Sequence, residues 1–369
     1  MAKRVFIAAT RQNDGKTTIS LGLLACLSGT IKRLGFTKPV GQRYIEIDGH
    51  RIDEDAVLIR DVFDMSCRLP DMSPVAIARR FTRDYIDDGK GHELERDIWR
   101  AYRAVDAESD FVVIEGTGHA GVGSCFDLSN AHVAKLLTSK VILVTGGGIG
   151  RPIDEVMLNR CLFSNEGVEI MGVIVNKVLP EKLDEVRYYM DKGLRRLGLE
   201  LLGVVPYQQH LAGPSMGQIL DETGAELING AEHLDVHIDR VVVGAMTAHQ
   251  ALSHLGRGAL LITGGDREDL VLAAMGGCIL GFGKADCVSG IVLTGGIYPH
   301  DNIMRLIRKT WVPVLMVRDD SYTAAHRIDR ITFKIRPADK KKISIARRLV
   351  QRHVNVERIM EVAMAQVVD

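Results

Sequence analysis

The sequence carries no excess charge of either sign: Lys plus Arg and Asp plus Glu each number 47 in 369 residues. Bulk charge therefore gives no reason to expect nucleic acid or a membrane surface as a partner, and neither is expected. A long hydrophobic run is also missing. The segment Leu270 to Gly283 is 14 uncharged residues, but four of them are glycines and it is too short to span a bilayer. The opening Met-Ala-Lys-Arg-Val-Phe-Ile-Ala-Ala-Thr has no separate apolar segment or cleavage site. A secretory signal is accordingly not expected, and the cytoplasm is the expected compartment. The six cysteines (Cys26, Cys67, Cys125, Cys161, Cys278, Cys287) include no Cys-x-x-Cys pair. They are expected as reduced, mostly buried thiols rather than a disulfide framework. No zinc site is expected from the 12 histidines.

What is present is an ordinary globular composition, 46% hydrophobic and 25% charged. At about 150 residues per domain, the length implies two or three domains. Apolar β-branched runs alternate with helical patterns from end to end, the signature of parallel α/β architecture. Strands are expected at 4–9, 34–38, 111–115, 141–144, 170–176 and 201–205. Helices are expected at 15–27, 53–63, 93–107, 152–163 and 181–197. Pro206–Asp239 breaks the rhythm and carries a domain junction near Pro206–Gly217. A second α/β unit follows, with strands near 241–245, 259–262, 291–293 and 314–317 and helices at 248–255, 268–276 and 301–308. The organisation is thus 1–208, a nucleotide-binding α/β domain; 209–330, a smaller α/β domain; and 331–369, a short strand at 331–335 with a basic helical tail. Residues 337–369 hold seven Lys or Arg against four Asp or Glu, as a solvated or dimer-covering helix pair would.

Three strands end in the same tripeptide, Thr145-Gly146-Gly147, Thr263-Gly264-Gly265 and Thr294-Gly295-Gly296. Glycines there either serve tight strand-to-helix turns or let backbone approach a ligand at the carboxyl edge of the sheet.

The strongest chemical signal follows the first strand. Thr10-Arg11-Gln12-Asn13-Asp14-Gly15-Lys16-Thr17-Thr18 leads into an amphipathic helix, the parts of a P-loop without its leading glycine. Backbone N–H groups of Asn13, Asp14, Gly15, Lys16, Thr17 and Thr18 at a helix N-terminus would cradle phosphate. Lys16 would reach the β- and γ-phosphates, and the Thr17 hydroxyl would bind Mg²⁺. Glu115 ends the apolar run Phe111-Val-Val-Ile and offers a carboxylate to the metal. Asp53, Glu54 and Asp55 form an acidic helix start, which dipole compensation also explains.

Thr10–Thr18, Phe36-Thr-Lys38-Pro39-Val40-Gly41, Asp55-Ala56, Val113-Ile-Glu115-Gly116, Gly172-Val-Ile-Val-Asn176 and Gly203-Val-Val-Pro206 fall in the order seen in dethiobiotin synthetase. The first 206 or so residues resemble that P-loop family. The resemblance implies a P-loop parallel sheet with helices on both faces, Mg²⁺ on Thr17, Asp55 and Glu115, adenine near Asn176 and Pro206, and Lys38 beside the reacting carbamate and phosphate. Lys16 and Lys38 become the catalytic lysines, and ATP and Mg²⁺ the cofactors. Arg11 lies five residues before Lys16, where related deviant P-loop ATPases carry a second lysine. It is either a cation for the γ-phosphate, in cis or across a dimer, or a solvated loop arginine.

Residues 239–327 resemble the DRTGG domain through Val243-Gly-Ala-Met-Thr247, Gly265-Asp-Arg-Glu-Asp269 and Leu293-Thr-Gly-Gly296. The joined arrangement is similar to the N-terminal region of long bacterial phosphotransacetylases, whose DRTGG part implies regulation. The acetyl-transferring part has no counterpart within these residues, so acetyl transfer is not carried over. Both resemblances imply a homodimer. In the second domain Asp266 is expected to cap a helix, and Arg267, with His300 and Asp301 on the same edge, to face a small anionic effector. The dethiobiotin pattern departs on its substrate side. Gln42 stands where the family has a Ser for the diamino substrate, and the turn after Glu115 reads Thr117-Gly-His-Ala-Gly121. The expected activity is therefore Mg·ATP binding, with phosphoryl transfer to a carboxylate or carbamate, or nucleotide and metabolite sensing without turnover.

Overall fold

The computed structural model describes residues 2–88, 91–279, 287–331 and 334–365. They divide into two units, Met1–Tyr207 with Ile335–Asp369, and Gln208–Lys334.

The strands of the first unit are, in order, β1 (Lys3–Ala9), β2 (Leu34–Thr37), β3 (Val40–Gly41), β4 (Tyr44–Ile47), β5 (His50–Asp53), β6 (Val75–Ala76), β7 (Phe111–Glu115), β8 (Val141–Thr145), β9 (Ile170–Val178) and β10 (Leu201–Pro206). Six of them form one parallel sheet in the order β10-β9-β8-β1-β7-β2. Every residue of β7 and β8 is buried, as their unbroken apolar sequences require of strands covered on both faces. Helix α1 (Lys16–Leu27) starts on the turn after β1. The remaining four strands make two small pairs, β3 with β6 and the hairpin β4–β5. Asp48 and Gly49 turn that hairpin with φ of 49° and 77°, the positive values a tight type I′ connection needs.

The basic tail is part of this unit. Its helices, Lys340–His353 and Val356–Met364, bury Ile345, Ala346, Leu349, Val350, Ile359 and Ala363. A Cβ on Gly22 of α1 would overlap Val350, so α1 and the Lys340–His353 helix meet at close range. The chain between the two helices bridges to Gly203, and Asn355 N–H donates to Leu202 O at 2.8 Å. This covers the outer edge of β10, which would otherwise present unpaired backbone groups. The tail is therefore a structural layer of the first unit, because its apolar stripe has α1 to bury against. Of the strand expected at 331–335, residues 332 and 333 lie outside the described residues.

The second unit has β11 (Glu226–Asn229), β12 (Arg240–Val243), β13 (Ala259–Gly264), β14 (Gly290–Thr294) and β15 (Val314–Met316), ordered β11-β15-β14-β13-β12 with β11 antiparallel. Alternate residues serve the two faces. Leu261, Ile291, Leu293 and Val314 pack with Leu270, Val271 and Met304. Leu260, Ile262, Val292 and Leu315 pack with Met216, Ile219, Ala324 and Ile328. Those last four belong to helices Met216–Thr223 and Ser321–Arg330. The helix carrying Glu268 runs Glu268–Ile279, so Asp266 lies two residues ahead of it.

Two expectations about side chains are corrected. Cys278 and Cys287 are joined by a disulfide, their Cα atoms 5.5 Å apart and within bridging range. Of the four free cysteines only Cys67 is buried; Cys26 is half-buried, and Cys125 and Cys161 are exposed. His233 and His237 stand four residues apart, and His233 ends a 3-10 turn and packs edge-on against Trp311. Among the described residues no cluster of three His, Cys, Asp or Glu has metal-holding geometry, and no helix is long and apolar enough to cross a membrane.

Candidate functional site

The carboxyl ends of β1, β7 and β2 meet at one edge of the first sheet, where open α/β sheets place ligands. The turn after β1 folds back tightly. Asn13 and Gly15 take positive φ, 67° and 93°, and Gly15 stands at the N-cap of α1 with no side-chain cap. The first N–H groups of α1 thus open toward the edge. The turn is braced from β9: Asn176 Nδ2 donates to Asp14 O at 2.8 Å and Lys177 Nζ to Asn13 O at 2.6 Å. A Cβ on Gly15 would overlap that Asn176 amide. Gly15→Ala is therefore expected to cost about 1–3 kcal/mol of local strain, read as roughly 10- to 100-fold weaker nucleotide binding. Gly49→Ala, at φ 77° with open space around it, is the control: it shares the positive φ and should leave binding unchanged in the same titration.

Asp14 turns its carboxylate back into the loop. It accepts from Thr10 Oγ1 at 2.9 Å and from the Arg11 N–H at 2.8 Å. Burial raises its carboxyl above the ordinary value, against the Thr10 bond and the Lys16 charge. Thr10 also meets Thr145 at 3.0 Å, tying the loop to the first Thr-Gly-Gly. The Arg11 guanidinium pairs with Glu155, which Arg151 also holds at 2.8 Å. Arg11 is half-exposed and engaged by this carboxylate.

The Lys16 ammonium is nearly buried. Burial pulls it down to about 8, against the attraction of Glu115 and with repulsion from Lys38. Thr17 Oγ1 donates to Glu115 Oε1 at 2.9 Å. Thr18 is half-buried in the first turn of α1.

Lys38 lies at the end of β2, its N–H donating to Met72 O at 2.7 Å. Its Nζ contacts Asp55 Oδ2 and lies 3.3 Å from Glu115 Oε1 and 3.4 Å from Asp53 Oδ1. All four groups are buried. Burial alone would lower the Lys38 ammonium, but Asp55, Glu115 and Asp53 outweigh it and hold it charged. Asp53 is the member of this cluster that sequence reasoning missed. It caps the helix Glu54–Phe63 by accepting from Asp55 N–H at 2.9 Å, the role its position announces. Gly41 permits the approach, since a Cβ there would lie 2.6 Å from Asp53 Cβ.

The donors suit Mg²⁺. Thr17, Asp55 and Glu115 offer hard oxygen ligands. Three buried carboxylates against Lys38 and Lys16 leave an excess of negative charge, and burial, with Asp55 alongside, pushes the Glu115 carboxyl up. A dication relieves that excess. On the other side of the P-loop, Asn176 is buried near the end of β9, and Pro206 ends the adjacent β10. Gln42 is exposed beyond β3.

The glycines of the other two Thr-Gly-Gly turns lie at the ends of β13 and β14. Gly295 and Gly296 adopt positive φ, and a Cβ on Gly265 would overlap Ile297 O. The turns therefore need glycine for their own packing. Arg267 forks onto Asp269, 2.9 Å at each of two contacts, and donates to Met246 O at 3.0 Å. Its charge is paired with the half-exposed Asp269 two residues away. His300 caps the helix Asp301–Ile307, and Arg327 pairs with Asp319 at 2.9 Å.

Residues 3–215, more than half of the chain, match the family model described as AAA domain. The chain belongs to the AAA domain family. Residues 218–331 match the DRTGG domain, so an AAA domain with a P-loop is followed by a DRTGG domain. The phosphate acetyltransferase of Nitratidesulfovibrio vulgaris is 27% identical over 366 residues, covering 96% of this chain and 51% of the relative. That of Pseudomonas aeruginosa is 29% identical over 372 residues, covering 95% and 51%. The chain thus spans about half the length of the curated relatives it matches. The CBS and DRTGG domains of the regulatory region of Clostridium perfringens pyrophosphatase, complexed with the activator diadenosine tetraphosphate, are 23% identical. That match covers 44% of this chain and 78% of the other, with a TM-score of 0.26.

Proposed function

We propose that the AAA domain binds Mg·ATP on the turn Asn13–Thr18. Lys16 meets the β- and γ-phosphates, Thr17, Asp55 and Glu115 hold Mg²⁺, and Asn176 and Pro206 frame the adenine. The observation that carries this reading is the convergence of Lys16, Thr17, Glu115, Asp55 and Lys38 on one sheet edge, beside a helix N-terminus left uncapped by any side chain. When bound, Mg²⁺ supplies charge neutralisation for the phosphates. Lys16 and Lys38 add positive charge where the transferring phosphoryl group would develop negative charge.

The enzymatic form of this reading is attack by a carboxylate or carbamate oxygen on the γ-phosphorus. The bond to the β–γ bridging oxygen breaks and ADP leaves. The second form is a homodimeric cytoplasmic sensor, with nucleotide in the AAA domain and a small anionic effector at the Thr-Gly-Gly edge of the DRTGG domain. It is favoured by the exposed Gln42, which stands where dethiobiotin synthetases have a Ser for the diamino substrate.

ADP release from Mg·ATP separates the two forms. In the enzyme, Glu115→Gln removes a metal ligand and is expected to lower turnover by at least about 100-fold. In the sensor, no ADP forms above the Lys16→Ala blank while ATP still binds. The enzymatic form is wrong in that second case.

A further inference from the structure

The two carboxylates assigned to Mg²⁺ already share a cation. Lys38 Nζ touches Asp55 Oδ2 and lies 3.3 Å from Glu115 Oε1, the same oxygen that accepts from Thr17 Oγ1. Asp53 Oδ1 is 3.4 Å from it on a third side. We propose that Lys38 is a built-in counter-cation that competes with the divalent metal for Asp55 and Glu115, so that metal binds this site only together with nucleotide. The inference rests on the metal set proposed above and concerns its regulation.

Three buried carboxylates without a cation would repel one another in a medium that screens poorly. The ammonium on Lys38 supplies the missing charge in the nucleotide-free protein. Its backbone is fixed by the Met72 hydrogen bond, but its four-carbon stem lets the head move. A dication arriving alone must either displace this ammonium or share oxygens with it at close range, and both oppose binding. A dication arriving with the triphosphate brings anionic oxygens that accept the displaced ammonium. Lys38 then passes from the acids to the phosphates, the side on which the family resemblance puts it. Lys16 does not fill the same role, since no ion pair ties it to Asp55 or Glu115 among the described residues, whereas Lys38 reaches both.

The test is a Mn²⁺ titration of the full chain without nucleotide, read by the electron paramagnetic resonance of free Mn²⁺. Wild type is expected to bind Mn²⁺ weakly, Lys38→Met to bind it at least about tenfold more tightly, and Lys38→Arg to stay as weak as wild type. If Lys38→Met is unstable on its own, Mn²⁺ without nucleotide should restore its thermal transition while leaving the wild-type transition in place. The proposal is overturned if Lys38→Met gains neither Mn²⁺ affinity nor Mn²⁺-dependent stability, or if wild type already binds Mn²⁺ as tightly as the variant. Failure of nucleotide binding is a separate result, visible as no saturation of wild type by Mg·ATP, and these titrations contain no nucleotide.

Discussion

Removing residues 335–369 is expected to unfold the AAA domain, although the deleted segment lies more than a hundred residues beyond the end of its sheet. Ile345, Leu349, Val350 and Ile359 are buried in the intact chain. At about 2 kcal/mol for each buried aliphatic side chain, their loss is on the order of 8 kcal/mol, comparable to the whole stability of a typical domain. The same cut bares the face of α1 around Gly22 and reopens the outer edge of β10. Hydrogen–deuterium exchange of the Ile19–Leu27 amides reads the outcome directly. In the shortened chain they should exchange at the rate of an unprotected peptide. Protection equal to that of the full chain would mean that the tail is an appendage.

Lys16→Ala is expected to weaken nucleotide binding by at least about 100-fold, the equivalent of one charge-assisted phosphate contact at roughly 3 kcal/mol. A pH signature accompanies it. Burial, resisted by Glu115, holds the free Lys16 ammonium at about 8 against an ordinary 10.5. Bound phosphate restores the charge and raises that value. Affinity should therefore be flat below pH 8 and fall above it, by up to about tenfold per unit, as binding comes to require uptake of a proton. Folding stability moves the other way. Between about 8 and 10.5 the unfolded chain binds the extra proton, so this group's penalty on the folded state is relieved as pH rises through that window. Calorimetry near pH 8.5 in buffers of different ionisation enthalpy measures the proton uptake. Binding with no uptake there, or a Lys16→Ala protein of wild-type affinity, would remove Lys16 from the phosphate.

Much of this fold was legible because its strands are unmistakable. Phe111–Glu115 and Val141–Thr145 are continuous apolar runs bounded by turn residues, and their limits were read to within a residue. The P-loop was legible for the same reason, a Gly-Lys-Thr placed after such a run. What the sequence concealed was tertiary. The hairpin Tyr44–Asp53 carries only a short alternation, and Asp48-Gly49 is its one local signal. The helix Ser321–Arg330 reads as a polar segment because only Ala324 and Ile328 enter the core. The Cys278–Cys287 bond joins residues nine apart that match no motif spacing. Asp53 was read as a helix start, and it is one. Its second role depends on Lys38 arriving from β2, which no local pattern encodes. Arg267 shows the converse: a charge that looked available for a ligand is engaged by Asp269, two residues away.

Nucleotide binding at the P-loop is the claim on which the rest depends, and a calorimetric titration of the full chain with ATP, in the presence and absence of Mg²⁺, tests it most directly. One saturable site per chain is expected, tightened by Mg²⁺ and lost in Lys16→Ala. A chain that takes up no ATP, or that binds it equally well with Lys16 replaced, would contradict the account.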